Sequence, residues 1–156
     1  MSSFARWMLA VVGLTLAFTA SAAQDPNEKA IKARKAVMTL QSWYAGPLFQ
    51  MAKGDMDYDA EAARAYAAAL NTVASIKGDM MWPPGTDNGA YAGKTRALPE
   101  IWSTWPAVGE KAQALSEASA ALADVAGDGL DALRSRIGAV GKACKGCHDD
   151  FRAEKN

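Results

Sequence analysis

The chain's only two cysteines and its only histidine fall within five consecutive positions, Cys144-Lys145-Gly146-Cys147-His148. No other feature constrains the fold as much. Two thiols three residues apart share one face of a helix, with an imidazole directly after the second. This spacing is the signature of covalent c-type haem attachment: each thiol adds to a porphyrin vinyl group, and the imidazole is offered to the iron. The competing uses fail on counting or context. A structural zinc needs four ligands, and a thioredoxin-like dithiol belongs beside a β-α-β pattern that is absent here. A disulfide at that spacing inside a helix is strained and closes almost no loop. Cys144 and Cys147 are therefore expected to bind one haem c, and His148 to ligate its iron.

The surrounding sequence is helical throughout, with no strand signal. A first helix is predicted from Asn27 or Glu28 to Lys53, closed by Gly54, since glycine tolerates the left-handed conformation after a helix end. Two stripes run along it. The apolar one, expected to be core, is Ala30, Ala33, Val37, Leu40, Tyr44, Leu48 and Met51; the mixed one is Ile31, Arg34, Met38, Gln41 and Ala45. Pro47 should bend or weaken its last turns. Asp57 or Asp59 can cap a second helix that runs through Ala60 to Ile76. Residues 77–98 carry Pro83-Pro84 and four glycines, a loop long enough to be expected to pack over something or to serve a function.

Pro99 suits the first turn of a third helix, whose inner face would be Ile101, Trp105, Val108, Ala112, Leu115, Ser119 and Leu122. After Gly127 and Gly129, a fourth helix is expected over Leu130 to Ala153, with Leu130, Leu133, Ile137, Val140, Cys144, Cys147 and Phe151 on one side. Four amphipathic helices with short first and last connections predict an all-α, antiparallel up-down-up-down four-helix bundle.

Residues 1–23 read as a secretory signal peptide: Arg6, an apolar run from Trp7 to Thr19, then Ala20-Ser21-Ala22-Ala23. The run is too short to span a bilayer, so residues 24–156 are expected to form one exported haem domain, periplasmic in a Gram-negative bacterium, with no later membrane span. The chain has 17 basic and 17 acidic residues, and losing Arg6 leaves 16 basic ones. That balance argues against a nucleic-acid partner and offers no steering field for a particular protein partner.

In the small class I cytochromes c the haem motif lies near the N-terminus, whereas here it lies on the last helix. The chain resembles the class II cytochromes c, the cytochrome c-prime superfamily, from about residue 28 to residue 155. The pieces that carry the resemblance are Arg34 and Met38, Gly54 through Tyr58, Pro84-Gly85-Thr86, Pro99-Glu100-Ile101-Trp102 and Cys144 to Arg152. The resemblance implies two branches. In one, an apolar residue blocks the distal face of a five-coordinate, high-spin iron that binds small gases. In the other, a first-helix methionine completes six-coordination and the protein carries electrons.

Aligning the first-helix arginine puts Met38 at the deciding position. A thioether is a soft ligand for ferrous iron, and histidine/methionine ligation raises the potential, so Met38 is expected as the second metal ligand. Packing is the competing role of Met38, and Met80 and Met81 are the fallback ligands. Arg34 is expected to bind the cofactor by pairing with a propionate, with Lys142 and Arg152 as further propionate or partner contacts. Trp82, Trp102 and Trp105 read as bundle or haem-edge packing. The function expected from this is a low-spin, non-enzymatic electron carrier that meets unidentified redox partners, with a homodimer, the state of many relatives, as one assembly the resemblance allows. The alternative is a five-coordinate protein that binds nitric oxide or carbon monoxide.

Overall fold

The computed structural model describes residues 25–154; the expected signal peptide lies outside them. Four long helices build the molecule, and a short helix precedes the third of them. They are α1 (Pro26–Lys53), α2 (Ala60–Ala74), the short α3 (Glu100–Ser103), α4 (Trp105–Ala123) and α5 (Leu130–Phe151). The long helices pack in a ring, α1 on α2, α2 on α4, α4 on α5 and α5 on α1, which is the up-down-up-down bundle the sequence predicts. No described helix is long and apolar enough to cross a membrane.

The ends follow local chemistry. The Asp25 side chain accepts from the Asn27 amide, and Asp59, not Asp57, caps α2 by accepting from the Ala62 amide at 2.7 Å, each satisfying an otherwise orphan donor. Gly54 closes α1 with φ of 87° and gives its amide to the Gln50 and Met51 carbonyls. Pro47 sits inside α1 without ending it.

One predicted helix is two. The backbone breaks at Thr104 (φ −125°, ψ 37°) between α3 and α4. Pro106 has no amide to give the carbonyl one turn back, and its ring crowds that turn. The Thr104 hydroxyl donates to the Glu100 carbonyl at 2.7 Å, helping to complete the short turn. Helices α2 and α5 also stop two residues before their expected ends, at Ala74 and Phe151.

The inner face of α1 corrects the sequence reading. Leu48 and Met51 of the apolar stripe are buried, but Leu40 is 42% exposed and Ala33 is exposed too; Ile31, Arg34 and Ala45 of the mixed stripe are buried instead. The N-terminal half of α1 faces the long loop and a cavity rather than a helix, so polar groups have partners there and an apolar stripe gains nothing by turning inward.

Two apolar clusters flank that cavity. One joins Leu48, Met51, Ala63, Ala67, Leu70, Leu122, Leu133, Ile137 and Val140, where the alanines of α2 admit close helix approach. The other joins Ala97, Ile101 and Phe151, with Trp82, Trp102 and Trp105 against it.

Candidate functional site

The cavity between the clusters has a volume of about 1190 Å³. Helix α5 contributes Cys144, Cys147, His148 and Phe151; α1 contributes Arg34, Met38, Gln41 and Ala45; α4 contributes Trp105, Val108, Ala112 and Leu115. The helical spacing of each set explains why these residues share one space. The structure thus brings Cys144, Cys147, His148, Met38 and Arg34 to one site.

The two cysteines are half-buried and unpaired. Burial pushes both thiols above their ordinary pKa, with Lys111 drawing Cys147 back. Desolvation, with the nearby Arg152 and Arg96 guanidiniums, holds His148 below the usual imidazole value. The imidazole therefore favours its neutral form, the form that donates to a metal. Two adjacent thiols and a neutral imidazole on the wall of a large apolar cavity are the donor set a covalently bound haem requires. Lys111 of α4 pairs with Asp150 of α5 at 2.9 Å, bracing the motif from outside.

The predicted residues fare differently. Met38 lines the cavity and is 40% exposed. Of the fallback ligands, Met81 also lines it, but Met80 is 94% exposed and is not part of the lining. Lys142 is exposed, whereas Arg152 reaches the cavity and bridges to Ala97.

Arg34 is 3% exposed, and its guanidinium is already engaged. It donates to the Thr86 hydroxyl at 2.7 Å, the Thr86 carbonyl at 2.5 Å and the Thr95 hydroxyl at 3.0 Å. It also lies 4.5 Å from the Trp82 ring centroid and 5.9 Å from that of Trp102. Among the described residues no carboxylate forms an ion pair with it. Burial pulls its pKa down, and Asp87 partly restores it. Hydroxyls, a carbonyl and aromatic faces stand in for a counter-charge.

The long loop therefore packs on α1, as its length implied. Tyr91 donates to Asp25 at 2.7 Å, Lys94 pairs with Glu28, and Lys35 donates to the Lys94 carbonyl at 3.1 Å. The tryptophans pack as expected: Trp82 and Trp102 have centroids 6.4 Å apart, and the Trp102 indole donates to the Trp82 carbonyl at 2.9 Å. Thr95 and Arg96 carried no sequence signal, because a polar loop residue acquires meaning only from its partner.

A family model described as Cytochrome C' matches residues 29–152. The chain is 39% identical over 142 residues to a cytochrome c' from Cereibacter sphaeroides, a match covering 91% of this chain and 95% of that one. A solved cytochrome c' from Rhodobacter sphaeroides superposes with a TM-score of 0.80 at 40% identity, covering 83% of this chain and 98% of the other. A nitric oxide complex of a mutant cytochrome c prime from Alcaligenes xylosoxidans matches with a TM-score of 0.71 at 35% identity, covering 83% and 97%.

Proposed function

Because this chain belongs to the cytochrome c' family, carrying one covalently bound haem c, we propose that its iron is five-coordinate and high-spin and binds a small gas such as nitric oxide or carbon monoxide. The kinship carries this reading: most of the similar relatives bear the name cytochrome c', beside two named cytochrome c-554, and a mutant of one cytochrome c prime was captured with nitric oxide. That weighs towards the open-site alternative and away from the low-spin electron carrier expected from the sequence.

When bound, the haem supplies an iron able to take a gas molecule or to change oxidation state. The chain's own residues do the rest. Cys144 and Cys147 would hold the haem through thioether links to its two vinyl groups. His148 offers a neutral imidazole from the same helix face. On α1, Met38 acts as an apolar wall that a diatomic ligand must displace or pass, a role suited to its flexible thioether side chain. Trp105, Val108 and Leu115 keep the cavity apolar, so water competes poorly for the site.

The electron-carrier reading stays as the second, because Met38 brings a soft thioether to the same cavity as His148. Spectra of the ferric and ferrous protein separate the two. A high-spin spectrum that shifts on adding carbon monoxide to reduced protein is expected; a low-spin ferric spectrum with a sulfur-to-iron band would overturn the open-site reading.

We also propose export to the periplasm after removal of residues 1–23, no enzymatic turnover of its own, and redox partners that reduce the haem. The exposed Leu40 and Trp43 of α1, the latter 69% exposed, support pairing with a second copy. Mass analysis of the processed protein and light scattering test the first and last points.

A further inference from the structure

The loop between α2 and α3 is tied at two places that belong to opposite parts of the site. One tie is the Arg34 guanidinium, held by Thr86 and Thr95. Arg34 lies one helical turn before Met38, about 6 Å along α1. The Thr86 hydroxyl, while accepting from Arg34, donates to the Pro83 carbonyl at 2.8 Å, so the tie reaches into the Pro83-Pro84 turn.

The second tie follows directly. Ala97 forms an antiparallel bridge with Arg152. The Leu98 amide donates to the Phe151 carbonyl at 3.1 Å, and the Ala153 amide donates to the Arg96 carbonyl at 2.8 Å. The Arg96 side chain donates to the Ala153 carbonyl at 2.7 Å. The Arg152 amide, in the same bridge, closes the last turn of α5 on the His148 carbonyl at 3.1 Å.

A single atom joins the two ties. The Thr95 hydroxyl oxygen accepts from Arg34 at 3.0 Å and from the Ala97 amide at 3.2 Å, using both of its lone pairs. We infer that Thr95, with residues 96–98, is a strap that positions the α1 wall at Met38 relative to the proximal ligand His148. Thr95 stands on the cavity's rim of lining residues; it acts on the site through Arg34 on one side and through the α5 terminus on the other. The inference rests on the functional reading only in taking His148 and Met38 to address one bound haem.

The test uses the holoprotein. Thr95→Val keeps the shape and removes the acceptor, whereas Thr95→Ser keeps the hydroxyl. Three signals are read: amide exchange at Leu98 and Ala153, the iron–histidine vibration of the ferrous protein, and the rate of carbon monoxide binding. Thr95→Val is expected to speed exchange at both amides by about fivefold, the effect of one lost hydrogen bond. It should also shift the iron–histidine vibration and change the binding rate, and Thr95→Ser should restore all three.

If Thr95→Val lowers only the thermal midpoint and leaves the vibration and the binding rate as in the wild type, or if Thr95→Ser is as altered as Thr95→Val, the strap is overturned. Should Thr95→Val lose haem, Arg96→Ala, which removes the side-chain bond to Ala153 together with a charge near His148, is read from amide exchange at Leu98 and Ala153, and unchanged exchange there overturns the strap. The wild-type coordination number tests the open-site reading separately. In a six-coordinate wild type that reading fails, while the strap is still judged from amide exchange at Leu98 and Ala153.

Discussion

The guanidinium carbon of Arg34 lies 4.5 Å from the ring centroid of Trp82, which places a buried cation of α1 over an aromatic residue of the long loop. Two threonines complete the enclosure, so this one side chain is a buried anchor of the loop beside its surface ties to α1. Arg34→Lys keeps the charge but loses the planar fork that reaches Thr86 and Thr95 together. Unfolding of the holoprotein in urea should show a loss of about 1–3 kcal/mol, the cost of leaving a buried acceptor unsatisfied. An unchanged midpoint would remove Arg34 from its role as the loop's anchor.

Met38 separates the two functional readings most sharply. With an open iron site, Met38→Ala clears the distal wall, so carbon monoxide binds faster by about tenfold or more, comparable to removing about 1.4 kcal/mol from the barrier. The ferric spin state stays high. With Met38 as a ligand, the same variant turns a low-spin spectrum into a high-spin one. Optical spectroscopy and flash photolysis of wild type and variant decide between them.

Cys144 and Cys147 are half-buried on the cavity wall, and covalent attachment needs only their sulfurs. The Cys144→Ala, Cys147→Ala double variant should give up its haem to acidified organic solvent, while the wild type retains it. Each single variant should keep one thioether, visible as a shifted band in the pyridine haemochrome spectrum. Retention of haem by the double variant would contradict attachment through these thiols.

Asp25 and Tyr91 give the loop a pH-dependent tie to α1. The Tyr91 hydroxyl and the Asn27 amide, both donating to the Asp25 carboxylate, lower its pKa below the ordinary 3.8. A depressed carboxylate stabilises the fold above its ordinary pKa, and that contribution is lost as pH falls through the folded value. Wild type should therefore melt higher than Tyr91→Phe at neutral pH, and the gap should close on acidification below about pH 4. A gap that stays constant through that range would show that the carboxylate is not the group responsible.

Much of the fold was legible because its causes are local. Helix periodicity predicts four long helices and their ring, Gly54 marks one end and Asp57 or Asp59 another, but periodicity does not show the break that Pro106 makes in the third helix. The error on α1 is instructive. Leu40 belongs to an apolar stripe that looks like core, yet it is 42% exposed, and the buried face runs through Ile31 and Arg34. Periodicity reports that a face exists, not which neighbour will cover it. Here the cover is a loop with polar partners to offer.

The same division holds for the site. Cys144, Cys147 and His148 are close in sequence, so the spacing alone determined that they share a face and which cofactor they suit. Arg34 was singled out by its place in the chain, but its partners were not. Thr86 and Thr95 stand 52 and 61 residues away, and no local spacing encodes a hydrogen bond across that separation. Only the tertiary structure, by folding the loop onto α1 and binding its other end to the residues after His148, decided that the arginine anchors the cavity's wall.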